Sequence, residues 1–256
     1  MTDFLLFLMV GFLAQAVDGA LGMAYGVISS TVLIASGVTP AHASAAVHAA
    51  EVFTTGAAGW SHHHHRNIDW GLFWRLAPFG IVGGCLGAYV LTALDASLMR
   101  PIVTFYLALV GVWLLVRSFR KMPSRPVSAI MTAPLGAIGG FLDAAGGGGW
   151  GPIVTTGLLG AGGAPRLVIG TVNAAEFVIT LSVSATFLAA LVTGHWQEGG
   201  GLAAMGPSLA GLICGGLLAA PLAGFLVRRV SETLLLRAVG TLILLIAGTQ
   251  TWRYLA

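Results

Sequence analysis

The sequence predicts an all-α polytopic membrane protein made of two inverted-topology repeats, each a glycine-broken short helix pair followed by three full transmembrane helices. Three observations predict it. Of the 256 residues 57% are hydrophobic and only 8% charged, against about 25% charged in a soluble domain. Six apolar segments are long enough to span. A shift of 125 residues lays the first half over the second.

Crossing a hydrocarbon layer of roughly 30 Å takes about 20 apolar residues as a helix, and segments 41–60, 70–93, 98–117, 167–193, 202–227 and 233–252 qualify. Ahead of each triplet lie two shorter apolar stretches, 4–17 and 24–36 around VDGALGM, and 127–142 and 150–160 around LDAAGGGGW. None of these four reaches more than about 24 Å at ~1.5 Å per residue, so they read as half-helices, re-entrant or crossing in two short passes. Backbone broken inside a membrane is tolerated only where protein or water satisfies it. Two such breaks meeting at mid-depth are where inverted-repeat transporters hold their substrate.

The repeat is explicit. Asp18 falls on Asp143, Gly22 on Gly147, Gly26 on Gly151, Thr31 on Thr156, Pro40 on Pro165 and Glu51 on Glu176. Fifteen of the 45 positions from 11 to 55 are identical. Composition bias explains Gly and Ala matches but not paired Asp, Pro and Glu, which are rare here. The expected units are 1–120, a cytoplasmic linker at 121–126, and 127–256. With the linker cytoplasmic, ten of the 12 Lys and Arg fall inside and only Arg100 and Arg253 outside, the bias that sets orientation. Three full spans per half then invert the second half and put both termini in the periplasm. The N-terminus lacks the basic start of a signal peptide.

Candidate functional residues are the polar groups the membrane should exclude. Asp18, Glu51, Asp143 and Glu176 lie within apolar segments, where a carboxylate costs about 2.5 kcal/mol or more. Asp18 and Asp143 also suit capping of the second half-helix. His48, Glu51 and Thr55 share one helix face, as do Asn173, Glu176 and Thr180. Gly19, Gly22, Tyr25 and Gly26 in the first break, and Gly146, Gly147, Gly148, Gly149 and Trp150 in the second, let backbone amides approach an oxyanion at helix N-termini. Thr31 and Thr156 lie about two turns further on. No Lys or Arg lies at a membrane-interior position, so residue chemistry alone leaves a proton-coupled or metal-cation carrier open beside an anion carrier.

Other signals point away from enzymes, nucleic acid and cofactors. There is no Walker A loop, G-x-S-x-G elbow or paired HxxxH, and neither a cofactor nor a resident metal is called for. The run His62–His65 reads as a solvated loop, and Cys85 and Cys214 as small reduced hydrophobes.

The stretch GGFLDAAGGGGWGPIVTTGLLGAGGAPRLVIGTVNAAEF resembles the signature of the sulfite exporter TauE/SafE family, also called toluene sulfonate uptake permeases. DGALGMAYGVISSTVLIASGVTPAHASAAVHAAEVFTTGAAGWSH resembles the first repeat of one of its branches. The resemblance implies a multi-pass carrier of the prokaryotic inner membrane for sulfite, sulfoacetate or another organosulfonate. It implies substrate contact at Asp18 to Gly26 and Asp143 to Gly151. Leu21, Met23 and Ala24 replace glycines found at Gly146, Gly148 and Gly149, so the two breaks are not equivalent. Lipid and the small anion are the expected partners, with a homo-oligomer left open.

Overall fold

The computed structural model describes residues 2–119, 129–197, 199–220 and 231–255. Its helices are α1 (Thr2–Leu21), α2 (Tyr25–Ala35), α3 (Pro40–His64), α4 (Trp70–Ala93), α5 (Ala96–Phe119), α6 (Ala129–Gly146), α7 (Gly151–Gly160), α8 (Pro165–Val192), α9 (Gly206–Ala219) and α10 (Glu232–Leu255). The first five residues of α7 form a π-helical turn. A 3₁₀ segment, Gly199–Met205, precedes α9. The expected linker at 121–126 and the stretch 221–227 of the fifth segment lie outside the described residues.

Among the described residues four helices are long and apolar enough to cross a membrane: Trp70–Ala93, Ala96–Phe119, Pro165–Val192 and Thr233–Trp252. The expected span 41–60 lies in α3, which is long enough but carries buried His42, His48, Glu51, Thr54 and Thr55. These polar groups lower its hydropathy, and they are tolerated because they are buried against protein. The helix also continues to His64 instead of ending before the histidines, so the run His62–His65 is a helix terminus, not a loop. His65 Nδ1 lies 2.8 Å from the Ser61 carbonyl oxygen, and the Asn67 amide nitrogen 3.2 Å from His62 Nδ1.

The broken units are less symmetric in length than hydropathy suggests. The first arms, α1 with 20 residues and α6 with 18, run to about 30 and 27 Å. The second arms are one and a half to two times shorter. The helical backbone carries on through VDGAL and LDAAG because the aspartates serve the helix that follows, as shown below.

Chain entry and exit follow ordinary capping chemistry. Thr39 opens α3 with its side chain accepting from the His42 amide and Pro40 in the first turn. Asp69 opens α4 by accepting from Leu72 N at 3.1 Å. Pro165 opens α8, where its missing N–H leaves no donor unused.

The most extensive packing joins α4 to α6, α1 to α9, α5 to α10 and α3 to α8. Glycines make the first two contacts possible. A side chain at Gly83 would strike the Ala137 carbonyl, one at Gly87 the Phe141 carbonyl oxygen at 2.5 Å, and one at Gly140 the Gly80 carbonyl. On the other side Gly11 meets Leu212 O, Gly211 meets Phe4 O at 2.5 Å, and Gly215 meets the Leu8 carbonyl. Gly83/Gly87 and Gly211/Gly215 are small residues four apart, the pattern that lets helix backbones touch in lipid. Cys85 and Cys214 are both free thiols.

Candidate functional site

Each break turns on a glycine. Gly22 has φ +66° and Gly147 φ +75°, left-handed conformations that only glycine adopts without strain. The Gly22 amide donates to the Asp18 carbonyl, and the Gly147 and Gly148 amides both donate to the Asp143 carbonyl. Each preceding helix is thereby closed by its own aspartate's backbone. The aspartate side chain then reaches across the break: Asp18 Oδ1 accepts from Tyr25 N at 3.3 Å, and Asp143 Oδ1 from Gly149 N at 2.7 Å and Trp150 N at 3.0 Å. The capping role expected of both residues is met, from seven residues upstream in each half.

This corrects the amide cradle. The amides of Gly22, Tyr25, Gly147, Gly148, Gly149 and Trp150, expected to face an oxyanion, are held by carbonyls and carboxylates of the helix before them. The carboxylates occupy the place of the anion.

The two breaks pack against each other. A side chain at Gly148 would strike the Val27 amide nitrogen, one at Gly151 would meet Met23 Cβ at 2.5 Å, and one at Gly147 would meet Ser30 Oγ at 2.5 Å. Thr155 donates its hydroxyl to the Gly22 carbonyl at 2.8 Å, tying the π turn of α7 to the first break. Tyr106 of α5 donates to the Gly148 carbonyl at 3.1 Å.

Glu51 stands where the breaks meet. A Cβ on Gly26 would lie 3.1 Å from both Glu51 Oε1 and Gly148 Cα. Glu51 is 2% exposed and its Oε2 has no hydrogen-bond partner. Ser30, facing Gly147, is fully buried and its hydroxyl is equally unpartnered. One turn from Glu51, His48 places Nε2 3.3 Å from Asp143 Oδ2. A ring nitrogen of His48 and a carboxylate oxygen from each of Glu51 and Asp143 lie within 4.8 Å of one another. Asp18 and Glu176 complete a group of four carboxylates within Coulomb range.

Other predicted residues are placed in structural roles. Thr31 Oγ1 donates to the Val27 carbonyl at 2.6 Å and Asn173 Nδ2 to the Ile169 carbonyl at 3.0 Å, each within its own helix. Tyr25 OH donates to the Leu212 carbonyl. Trp150 is fully buried, donates Nε1–H to the Val172 carbonyl, and packs near Gly80. Gly146 abuts the Tyr106 ring. Gly19 lies in the last turn of α1.

Sequence reasoning missed Arg117. It sits in the last turn of α5, so the hydropathy pattern assigns it to the membrane edge. Its guanidinium folds back to donate to Thr156 Oγ1 at 2.5 Å and to contact Met23 Sδ at 3.3 Å. A cation therefore lies beside both breaks. A snorkelling arginine reaches about 6 Å along its stem, and nothing in the sequence says in which direction. Ser30 carries no signal in the sequence, because a serine in an apolar helix ordinarily bonds the preceding turn of its own helix. At the far end of α7 a cavity of about 320 Å³ is lined by Arg75, Thr132, Gly162 and Gly163 among others.

Apolar helices enclosing a buried polar junction of two broken helices define a polytopic membrane protein. The chain belongs to the sulfite exporter TauE/SafE family, whose model matches residues 7–250, and it is a membrane transporter of that family. It is 41% identical over 253 residues to the probable membrane transporter protein YtnM of Bacillus subtilis (strain 168), covering 96% of this chain and 82% of the relative. No solved structure matches.

Proposed function

We propose that this protein carries a small sulfur-containing anion, such as sulfite, sulfoacetate or another organosulfonate, across the prokaryotic inner membrane through the junction of its two breaks. The observation that carries the reading is Ser30. A hydroxyl buried without a partner is a standing cost of about 1–3 kcal/mol, and this one faces Gly147 in the opposite break. An oxyanion accepting from it removes that cost. Arg117 at Thr156 brings positive charge beside the junction, and α7 leads from the junction past Thr156 to the cavity at Arg75.

Two inverted repeats, 1–120 and 127–256, account for the packing. Reciprocal contacts, α1 with α9 and α6 with α4, follow from a two-fold relation between halves. That relation sends the second arms, α2 and α7, away from the junction toward opposite faces. The buried state of Glu51 and Ser30 is then the closed state of an alternating-access cycle.

The experiment is uptake of labelled sulfite and sulfoacetate into proteoliposomes by the wild type and Ser30→Ala. A purely structural Ser30 gives Ser30→Ala unchanged transport and equal or higher stability. The proposal expects transport to fall while thermal stability holds. Transport of divalent metal instead of either anion would favour the cation-carrier reading.

A further inference from the structure

His48 decides what else the junction holds. Its Nδ1 lies 2.8 Å from the Ser44 carbonyl oxygen, and a carbonyl only accepts, so Nδ1 carries a hydrogen. The Ser44 hydroxyl donates to the Ala144 carbonyl at 2.6 Å, which leaves its oxygen, 3.3 Å from Nδ1, as a second acceptor. Nδ1 is therefore fixed as the N–H of the neutral ring. Nε2 faces Asp143 Oδ2 at 3.3 Å. A bare imidazole nitrogen and an ionised carboxylate are both acceptors, so this contact is cohesive only with a proton between them. Asp143 Oδ1 is taken by two amides, which leaves Oδ2 to share that proton. Glu51, one turn along α3, puts a carboxylate oxygen within the same 4.8 Å cluster, and its Oε2 has no hydrogen-bond partner.

We propose that the His48–Asp143 pair is the proton-binding site that couples transport to the proton gradient, and that Glu51 is the group to which the proton passes. The inference rests on the anion reading of the junction. In the loaded state the imidazole carries both ring hydrogens and Asp143 and Glu51 are ionised. Transfer moves one proton from Nε2 to Glu51 Oε2 and leaves neutral imidazole, ionised Asp143 and neutral Glu51, with no other bond changed. A neutral Glu51 no longer repels an anion beside Gly26 and Gly148, so proton and anion occupy the junction together. With the proton gone from Nε2, two acceptors face each other, and the tie between α3 and the end of α6 loosens beside the second break. The titratable groups that interact electrostatically with the pair are Glu51 on α3, Asp18 on α1, Glu176 on α8 and Tyr106 on α5, and Tyr25 on α2 interacts with Glu51 and Asp18.

Two readouts test this. In the absence of substrate, solid-state NMR of protein labelled with ¹⁵N-histidine in lipid assigns His48 by the resonances lost in His48→Gln. Both its ring nitrogens are expected to be protonated at neutral pH, and Asp143→Asn is expected to shift them. A bare Nε2 at neutral pH, or one that responds to added Zn²⁺ and not to pH, overturns the site. In vesicles filled with a pH-sensitive dye, sulfoacetate entry should acidify the lumen; sulfite is unsuitable because hydrogensulfite carries a proton of its own. Glu51→Gln, which leaves the His48–Asp143 pair intact, should keep the imidazole spectrum and lose the acidification. Anion entry without acidification in the wild type overturns the coupling and spares the anion reading. If no anion enters at all, the anion reading falls, and the proton site stands or falls on the substrate-free spectrum.

Discussion

Asp143 holds the amide of Trp150 at 3.0 Å from seven residues upstream, and Asp18 holds that of Tyr25 at 3.3 Å across the same spacing. Each carboxylate thus belongs to one helix and caps the next, which is what keeps a break ordered in a medium without water. Asp143 also binds Gly149 N and His48, so the two sites are unequal. A cap contributes about 0.5–2 kcal/mol. Asp143→Ala should lower the melting temperature in detergent clearly more than Asp18→Ala; equal losses would contradict the assigned bonds.

Ala24 has φ +120° at the position where the second repeat has Gly149. A non-glycine residue there stores about 1–3 kcal/mol of strain. Ala24→Gly should therefore raise stability, by about 1 kcal/mol after the entropy of the added glycine is counted, as a higher melting temperature. An unchanged or lower value would show that the first break is not built this way.

The glycine contacts make a paired prediction. Gly83→Leu forces α4 off α6, and Gly215→Leu forces α1 off α9, because the displaced atoms are backbone. Overpacking costs about 1–3 kcal/mol or more, and both variants should aggregate on size-exclusion. Gly248→Leu on α10, where a side chain meets open space, should remain monodisperse.

On the proposed anion path Arg117 supplies positive charge at Thr156, so its removal should affect affinity before folding. A charge-assisted hydrogen bond contributes about 1.5–3 kcal/mol. Arg117→Gln should raise the KM for the transported anion about tenfold, and Arg117→Lys should recover part of it. A KM unchanged in Arg117→Gln would remove this residue from the anion path.

Much of this was legible in the sequence, for a physical reason. Asp, Glu and His are costly in apolar segments, so Asp18, His48, Glu51, Asp143 and Glu176 announce themselves, and the 125-residue offset pairs four of them. What the sequence hides is direction. Hydropathy places Arg117 at an edge but not the turn of its side chain back toward Thr156. It marks glycines around Asp143 but not that the backbone carbonyl and carboxylate of Asp143 take their amides. Composition reads the end of α3 as loop because histidines are polar, although nothing in the run breaks a helix.

In the proposed architecture inversion of the two halves brings the breaks together from opposite sides, and labelling tests it most directly. In a background with Cys85 and Cys214 replaced, a single cysteine is placed at His64, the end of α3, or at Thr193, just after α8, its counterpart in the second half; both positions are exposed. The account predicts that a membrane-impermeant thiol reagent reaches Thr193→Cys only from the periplasmic side and His64→Cys only from the cytoplasmic side. Labelling of both from one side would contradict it.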